Sequence, residues 1–242
     1  MIKDVARKGK TNCGKSAISA LLLSSFFACP AWAGRPLATE DAGVLGEHEC
    51  EIESYAGSVR ERNSPSVNAL WAQYGCGIGR DTQLAFGAGT ERSAGELTKA
   101  AALTGKTFLR ELTEEQTGFT LAYALFGAQE SGNSFKHEAT ELKGAVTAPL
   151  NGWLFHANLG AHYAHKSGQQ SSVWALAVER PSAVGPVDLM AEVFGDDRSA
   201  AWVQFAARWT VVPKRFYLDT SWGVQTDSAR AKQITVGLKI AL

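Results

Sequence analysis

One dipeptide constrains this chain more than any other feature: Asn151-Gly152, set between two long alternating segments that run from Phe135 to His165. Both residues tolerate the positive φ of a type I′ turn, so the pair predicts a two-residue hairpin with Leu150 opposite Trp153. That register puts Leu142, Val146, Ala148 and Leu150 on one face with Trp153, Phe155, Ala157, Leu159, Ala161 and Tyr163. The other face pairs Glu141 with His162, Lys143 with Gly160, Ala145 with Asn158 and Thr147 with His156. Strands in soluble sheets usually run about five or six residues. These are roughly twice as long, near the ~9–11 residues a tilted strand needs to cross a bilayer. The alternatives are a long hairpin in a soluble sandwich or two staves of a membrane barrel.

The rest of the chain bears on that choice. Alternation predicts strands near 47–58, 68–79, 82–90, 99–112, 117–128, 136–149, 153–164, 171–180, 186–195, 200–212, 215–225 and 231–242. That is about twelve, an even number, as single-chain bacterial outer-membrane barrels have. Every second link is longer and polar: Arg60–Val67, Glu91–Thr98, Gln129–Phe135, Lys166–Gln170, Asp196–Ser199 and Thr226–Arg230. Between them lie the tight Arg80-Asp81, Asn151-Gly152 and Pro213-Lys214, and the slightly longer Thr113–Gln116 and Pro181–Gly185. Such barrels have short periplasmic turns and longer extracellular loops, whereas a sandwich has no reason to alternate them. Trp153 and Phe216 start strands after tight turns, while Tyr163 and Trp222 lie towards the loops, as interfacial girdles do. The expected fold is therefore all-β: a transmembrane antiparallel barrel over residues 47–242, preceded by an irregular lead-in at 34–46.

Residues 1–33 read as a cleaved signal peptide directing export to the outer membrane. Lys3, Arg7, Lys8, Lys10 and Lys15 supply the charged region, Ala17–Ala28 the apolar core and Ala31-Trp32-Ala33 the cleavage site, with Gly34 the new terminus. Cys29 is a poor match to a lipoprotein signal. Signal removal leaves Cys50 and Cys76, and two cysteines in an exported chain invite a disulfide. Centring the first hairpin on Asn63 makes them cross-strand partners, with Ile52 against Tyr74 and Glu53 against Gln73.

This frame gives lumen-lining candidates: Glu51, Glu53, Glu141, Glu179, Asp188, Glu192 and Asp219 among acids; Lys106, Arg110, Lys143, Arg208 and Lys239 among bases; and His156, Asn158 and His162. A turn at Pro213-Lys214 sets Arg208 opposite Asp219 and Trp209 opposite Leu218. Charges of both signs suit either a closed polar core or a narrow pore. No link is long enough to be a plug domain, which favours a lumen too narrow for bulk solutes. His156 and His162 are roughly 20 Å apart at ~3.3 Å per residue, too far for one metal. No Cys-x-x-Cys, phosphate loop or dinucleotide fingerprint follows the signal, so no cofactor is expected. Zero net charge argues against a nucleic-acid partner.

The last strand carries Ile234, Val236, Leu238, Ile240 and Leu242 on one face. Thr235-x-Gly237-x-x-Ile240-x-Leu242 resembles the ending by which outer-membrane barrels are recognised for folding, with aliphatic residues where aromatics are usual. That resemblance implies the barrel-assembly machinery as a partner, with outer-membrane lipid around the folded chain. His165-Lys166-Ser167 has the His-x-Ser spacing of outer-membrane phospholipases, but it runs into a Ser/Gly/Gln loop with no amide partner in view.

Arg35-Pro36-Leu37-Ala38-Thr39-Glu40-Asp41-Ala42-Gly43-Val44, Cys50-Glu51-Ile52-Glu53 and Tyr74-Gly75-Cys76-Gly77-Ile78-Gly79 resemble the start of certain small proteobacterial outer-membrane proteins. These are related to the group labelled "putative MetA-pathway of phenol degradation". The resemblance implies a transport barrel admitting hydrophobic or aromatic compounds and carries no binding residue across. Three functions stay open: a channel or uptake barrel for small solutes, a closed barrel with a structural or binding role, and a lipid-active enzyme. Conductance in planar bilayers separates the first two, and a lipase assay with Ser167→Ala tests the third.

Overall fold

In the computed structural model residues 36–227 and 230–242 are described, and the expected signal peptide at 1–33 lies outside them. The strands are β1 (Cys50–Arg60), β2 (Val67–Gly79), β3 (Thr82–Ser93), β4 (Glu96–Arg110), β5 (Gly118–Gln129) and β6 (Lys136–Leu150). They continue as β7 (Trp153–Ala164), β8 (Gln169–Val184), β9 (Val187–Asp196), β10 (Trp202–Val212), β11 (Phe216–Gln225) and β12 (Lys232–Ala241). Each pairs antiparallel with its sequence neighbour, and β1 pairs with β12, so the sheet closes into a twelve-stranded barrel. Closure removes the edge strands that an open sheet would expose.

The hairpin registers follow the turn chemistry. Asn151 and Gly152 both have positive φ, and Leu150 faces Trp153 with Glu141↔His162 and Thr147↔His156 further along. Cys50↔Cys76, Ile52↔Tyr74 and Glu53↔Gln73 pair in the first hairpin, and Arg208↔Asp219 and Trp209↔Leu218 in the β10–β11 hairpin. Cys50 and Cys76 are disulfide-bonded. We expect both thiols to resist maleimide until reduction. Replacing the pair by alanine should lower the unfolding free energy by about 2–4 kcal/mol, the usual worth of such a crosslink, read from urea midpoints in micelles.

Burial is the inverse of a soluble core. Leu159, Leu70, Phe86 and Val236 are 69%, 61%, 60% and 58% exposed, whereas Glu53, Glu141 and Asp219 are 3%, 4% and 4% exposed. A closed sheet with apolar residues outside and polar ones inside is built for a hydrocarbon exterior. At the tight-turn end Arg180 lies over the Trp153 ring, 5.4 Å from its centroid, an anchor suited to an interface.

Two links differ from the sequence expectation. The polar stretch 91–98 is not a long loop: β3 and β4 run on to a two-residue turn at Ala94-Gly95, both at positive φ. Pro181–Gly185 is not a simple turn either, because β8 continues to Val184 with a register shift between Arg180 and Val184. The remaining even-ranked links are short except 111–117, and the remaining odd-ranked ones run longer.

Candidate functional site

Residues 36–45 enter the barrel from the tight-turn end and run up its lumen as an extended strap with no β-partner. The entrance is at β2: Glu47 bridges to Gly77, the amide of His48 donates to the carbonyl of Gly77, and the amide of Gly77 donates to the carbonyl of Glu49. A Cβ on Gly77 would stand 2.0 Å from the carbonyl oxygen of Gly46, so only glycine lets the strap past the wall here.

A buried extended segment must find partners for its backbone groups, and the inward side chains of the wall supply them. Near the tight-turn end the amide of Leu45 donates to Gln83 Oε1 (2.7 Å). The amide of Ala42 donates to Thr147 Oγ1 (2.8 Å), and the carbonyl of Ala42 accepts from Thr120 Oγ1 (2.7 Å). At mid-height Asn158 takes both sides of one residue, accepting from the amide of Glu40 (2.6 Å) and donating to its carbonyl (2.9 Å). Higher still, Glu192 accepts from the amides of Ala38 (2.8 Å) and Thr39 (2.9 Å) and from Thr39 Oγ1 (2.6 Å). Gln204, the third residue of β10, donates to Glu192 (2.6 Å) and to the carbonyl of Pro36 (3.1 Å). Leu37 packs with Ala177, Met190 and Ala206, an apolar socket in a polar wall. Ten residues at ~3.3 Å each reach about 33 Å, enough to traverse a lumen about as tall as the hydrocarbon layer.

Several of the lumen charges form ion pairs. Lys106 Nζ lies 2.9 Å from Asp41 and 3.3 Å from Glu40, tying β4 to the strap. Lys143 and His162 both hold Glu141, at 2.9 and 3.2 Å. Lys239 meets Glu51 and, at 3.5 Å, Glu53 across the β1–β12 seam, while Gln73 donates to Glu53 (2.8 Å). His156 Nδ1 is 2.9 Å from Thr147 Oγ1, with its Nε2 3.7 Å from Glu179. Arg208 is flanked in register by Asp188 on β9 and Asp219 on β11.

Arg110 departs from the expected inward set. The β4–β5 register slips between Phe108 and Arg110, so Phe108 faces inward Thr120 but Arg110 faces outward Phe119. Arg110 is exposed at the rim, turned out by the bulge at Leu109. His165 and Ser167 lie beyond the end of β7; the His165 ring packs against His137 at a 37° tilt, ring centroids 3.9 Å apart, with its Nε2 3.1 Å from Thr140 Oγ1. Among the described residues no group of three or more His, Cys, Asp or Glu is placed to hold a metal.

Beside the strap a polar cavity holds about 460 Å³ of empty space, part of it open to solvent. It is lined by Glu40, Glu51, Gln73, Lys106, Glu141 and Lys143 together with small wall residues such as Ala85, Ala122 and Ala124. Towards the long-loop mouth the lumen turns apolar. Trp71 packs against Ala102, Ala124, Phe126 and Ala139, its ring lying over Gly87 and Gly89, and Phe194 stacks on Trp202.

Fold and lumen together define a class: a twelve-stranded barrel of the outer-membrane type, filled by its own N-terminal strap. The chain belongs to the family described as "Uncharacterised conserved protein UCP029691", whose model matches residues 21–242. That description differs from the phenol-degradation group resembled by the N-terminal motifs. No curated protein matches the chain significantly. Among solved structures it is similar to the KdgM porin in complex with disordered oligogalacturonate (TM-score 0.56, 7% identity, 79% of this chain and 99% of that one). It is also similar to outer membrane phospholipase A from Escherichia coli (TM-score 0.51, 9% identity, 82% and 98%). The COG4313 outer membrane channel from Pseudomonas putida F1 aligns as well (TM-score 0.50, 10% identity, 84% and 97%). At these identities the likeness is one of fold.

Proposed function

We propose that the protein is an outer-membrane channel or uptake barrel for small solutes, with the strap as its gate. The observation that carries this reading is how the strap is held. It is bound by side-chain hydrogen bonds, one ion-pair cluster and one leucine socket rather than by a β-ladder, so it can leave without opening the sheet. A structural element of the wall would have been paired as a strand.

The solute class follows from the lining. Carboxylates outnumber cations among the charged wall residues named above, and the lysines are held by acids, which disfavours polyanions such as the oligogalacturonate bound to the KdgM porin. Aromatic rings at the long-loop mouth and a paired-charge passage below suit a small molecule with an apolar or aromatic part, consistent with the implied phenol link. The dense pairing of lumen charges favours a second reading, a permanently closed barrel.

Planar-bilayer recordings of the chain without its signal and of the same chain lacking 36–45 decide between them. The full strap should keep the pore closed for most of the record, and its removal should give stepwise conductance. Silence from both forms establishes the closed barrel, and equal conductance from both removes the strap as a gate.

A further inference from the structure

The outer face of the long-loop rim is electrically lopsided. On β12, β1, β3 and β4 it carries Lys232, Arg60, Arg92 and Lys99, all exposed and all within four residues of a strand end. Each stands on the lipid side: Lys232 shares its face with Ile234 and Val236, Arg92 with Phe86 and Lys99 with Leu103. Lys232 and Arg60 are direct cross-strand partners. Asn68 on β2 faces Arg92, and Thr90 beside it faces Lys99, so the row is continuous across five neighbouring strands, about 19 Å at ~4.8 Å per strand. None of the four has an ion-pair or side-chain hydrogen-bond partner among the described residues. The matching outward positions on the other half, Gln129, His137 and Gln170, include no lysine or arginine.

Like charges directly opposite each other destabilise a ladder, and among the described residues nothing offsets the Lys232–Arg60 pair. An anion at headgroup level does so, and guanidinium groups beside an apolar surface favour phosphate. We propose that this row docks the phosphate groups of the outer-leaflet glycolipid, the lipid A portion of lipopolysaccharide. The acyl chains then lie along Phe86, Leu103 and Val236 while the phosphates lie against Arg60, Arg92, Lys99 and Lys232. This rests on the reading of the chain as an outer-membrane barrel with its longer loops outside.

The test uses the folded barrel in micelles, titrated with bisphosphorylated lipid A, with lipid A stripped of phosphate and with inorganic phosphate. The wild type should bind the bisphosphorylated form about tenfold or more tightly than the stripped form, in a salt-sensitive manner. The variant R60Q/R92Q/K99Q/K232Q should lose that preference, and K214Q/R215Q at the opposite end should keep it. Heat-modifiable gel mobility confirms that each variant has folded. Equal binding of both lipids by the wild type overturns the proposal, as does a preference retained by the fourfold variant. Complete competition by inorganic phosphate at the lipid's own concentration overturns the lipid as the source of the anion. Labelling of Ala94→Cys by an impermeant maleimide on intact cells should succeed. Failure to label, with lipid preference intact, removes the orientation rather than the phosphate site and so separates the two readings.

Discussion

Replacing Glu192 by alanine should release the upper half of the strap while leaving the barrel closed. The Glu192 carboxylate accepts from two backbone amides, the Thr39 hydroxyl and the Gln204 amide, all in a buried setting. Hydrogen bonds to a charged group contribute about 1.5–3 kcal/mol each and do not add fully, so the loss of strap anchoring should be about 3–5 kcal/mol. Amide exchange at Ala38 and Thr39 reads it directly, and protease sensitivity within 36–45 reads it independently. Glu192→Gln keeps an acceptor of the same shape and should lose only part of the protection. Heat-modifiable migration should persist in both variants, because the ladders on either side of β9 do not use this side chain. Unchanged exchange at Ala38 in the alanine variant would sink the assignment of Glu192 as the anchor.

The second large effect separates the two faces of β7. Leu159, 69% exposed near the middle of its strand, faces hydrocarbon in the barrel reading. Leu159→Arg should therefore lower the unfolding free energy by about 2–4 kcal/mol, visible in urea midpoints in micelles. One residue away, Asn158→Arg meets a different environment, because Asn158 grips both sides of Glu40 and is 6% exposed. There the larger side chain displaces the strap, so barrel stability should change little while strap protection collapses. A chain lacking residues 1–33 that folds in buffer without detergent or lipid would refute the assignment of Leu159 to a lipid face.

Most of the wall was legible because its rules are local. Asn151-Gly152 dictates a turn, the turn dictates a register, and period-two alternation carries that register along β6 and β7. Cys50 and Cys76 became partners for the same reason. The strap was illegible as a plug because an extended segment without a ladder has no period. Its hydrogen-bond partners lie 38 to 168 positions away in sequence, from Gln83 to Gln204. A signal was present all the same. Thr120, Thr147, Asn158, Glu192 and Gln204 are more hydrogen-bonding capacity than the wall needs for itself, and a surplus of buried donors and acceptors implies something to receive them. Strict alternation through Phe108-Leu109 puts Arg110 inside, whereas these two adjacent large apolar residues mark a bulge that turns it out. The turn at Ala94 left no such mark, since alanine is not a residue that announces positive φ.

The position of the strap in the chain orders the folding reaction in time. It is made before β1, yet Glu192 and Gln204 belong to β9 and β10, near the other end of the sequence. The binding groove for residues 36–45 therefore does not exist until almost every stave is in place and β1 has met β12. Contacts of such long sequence separation form late. A half-built sheet is left with its polar face wetted and residues 36–45 loose, and only a completed ring can swallow the thread.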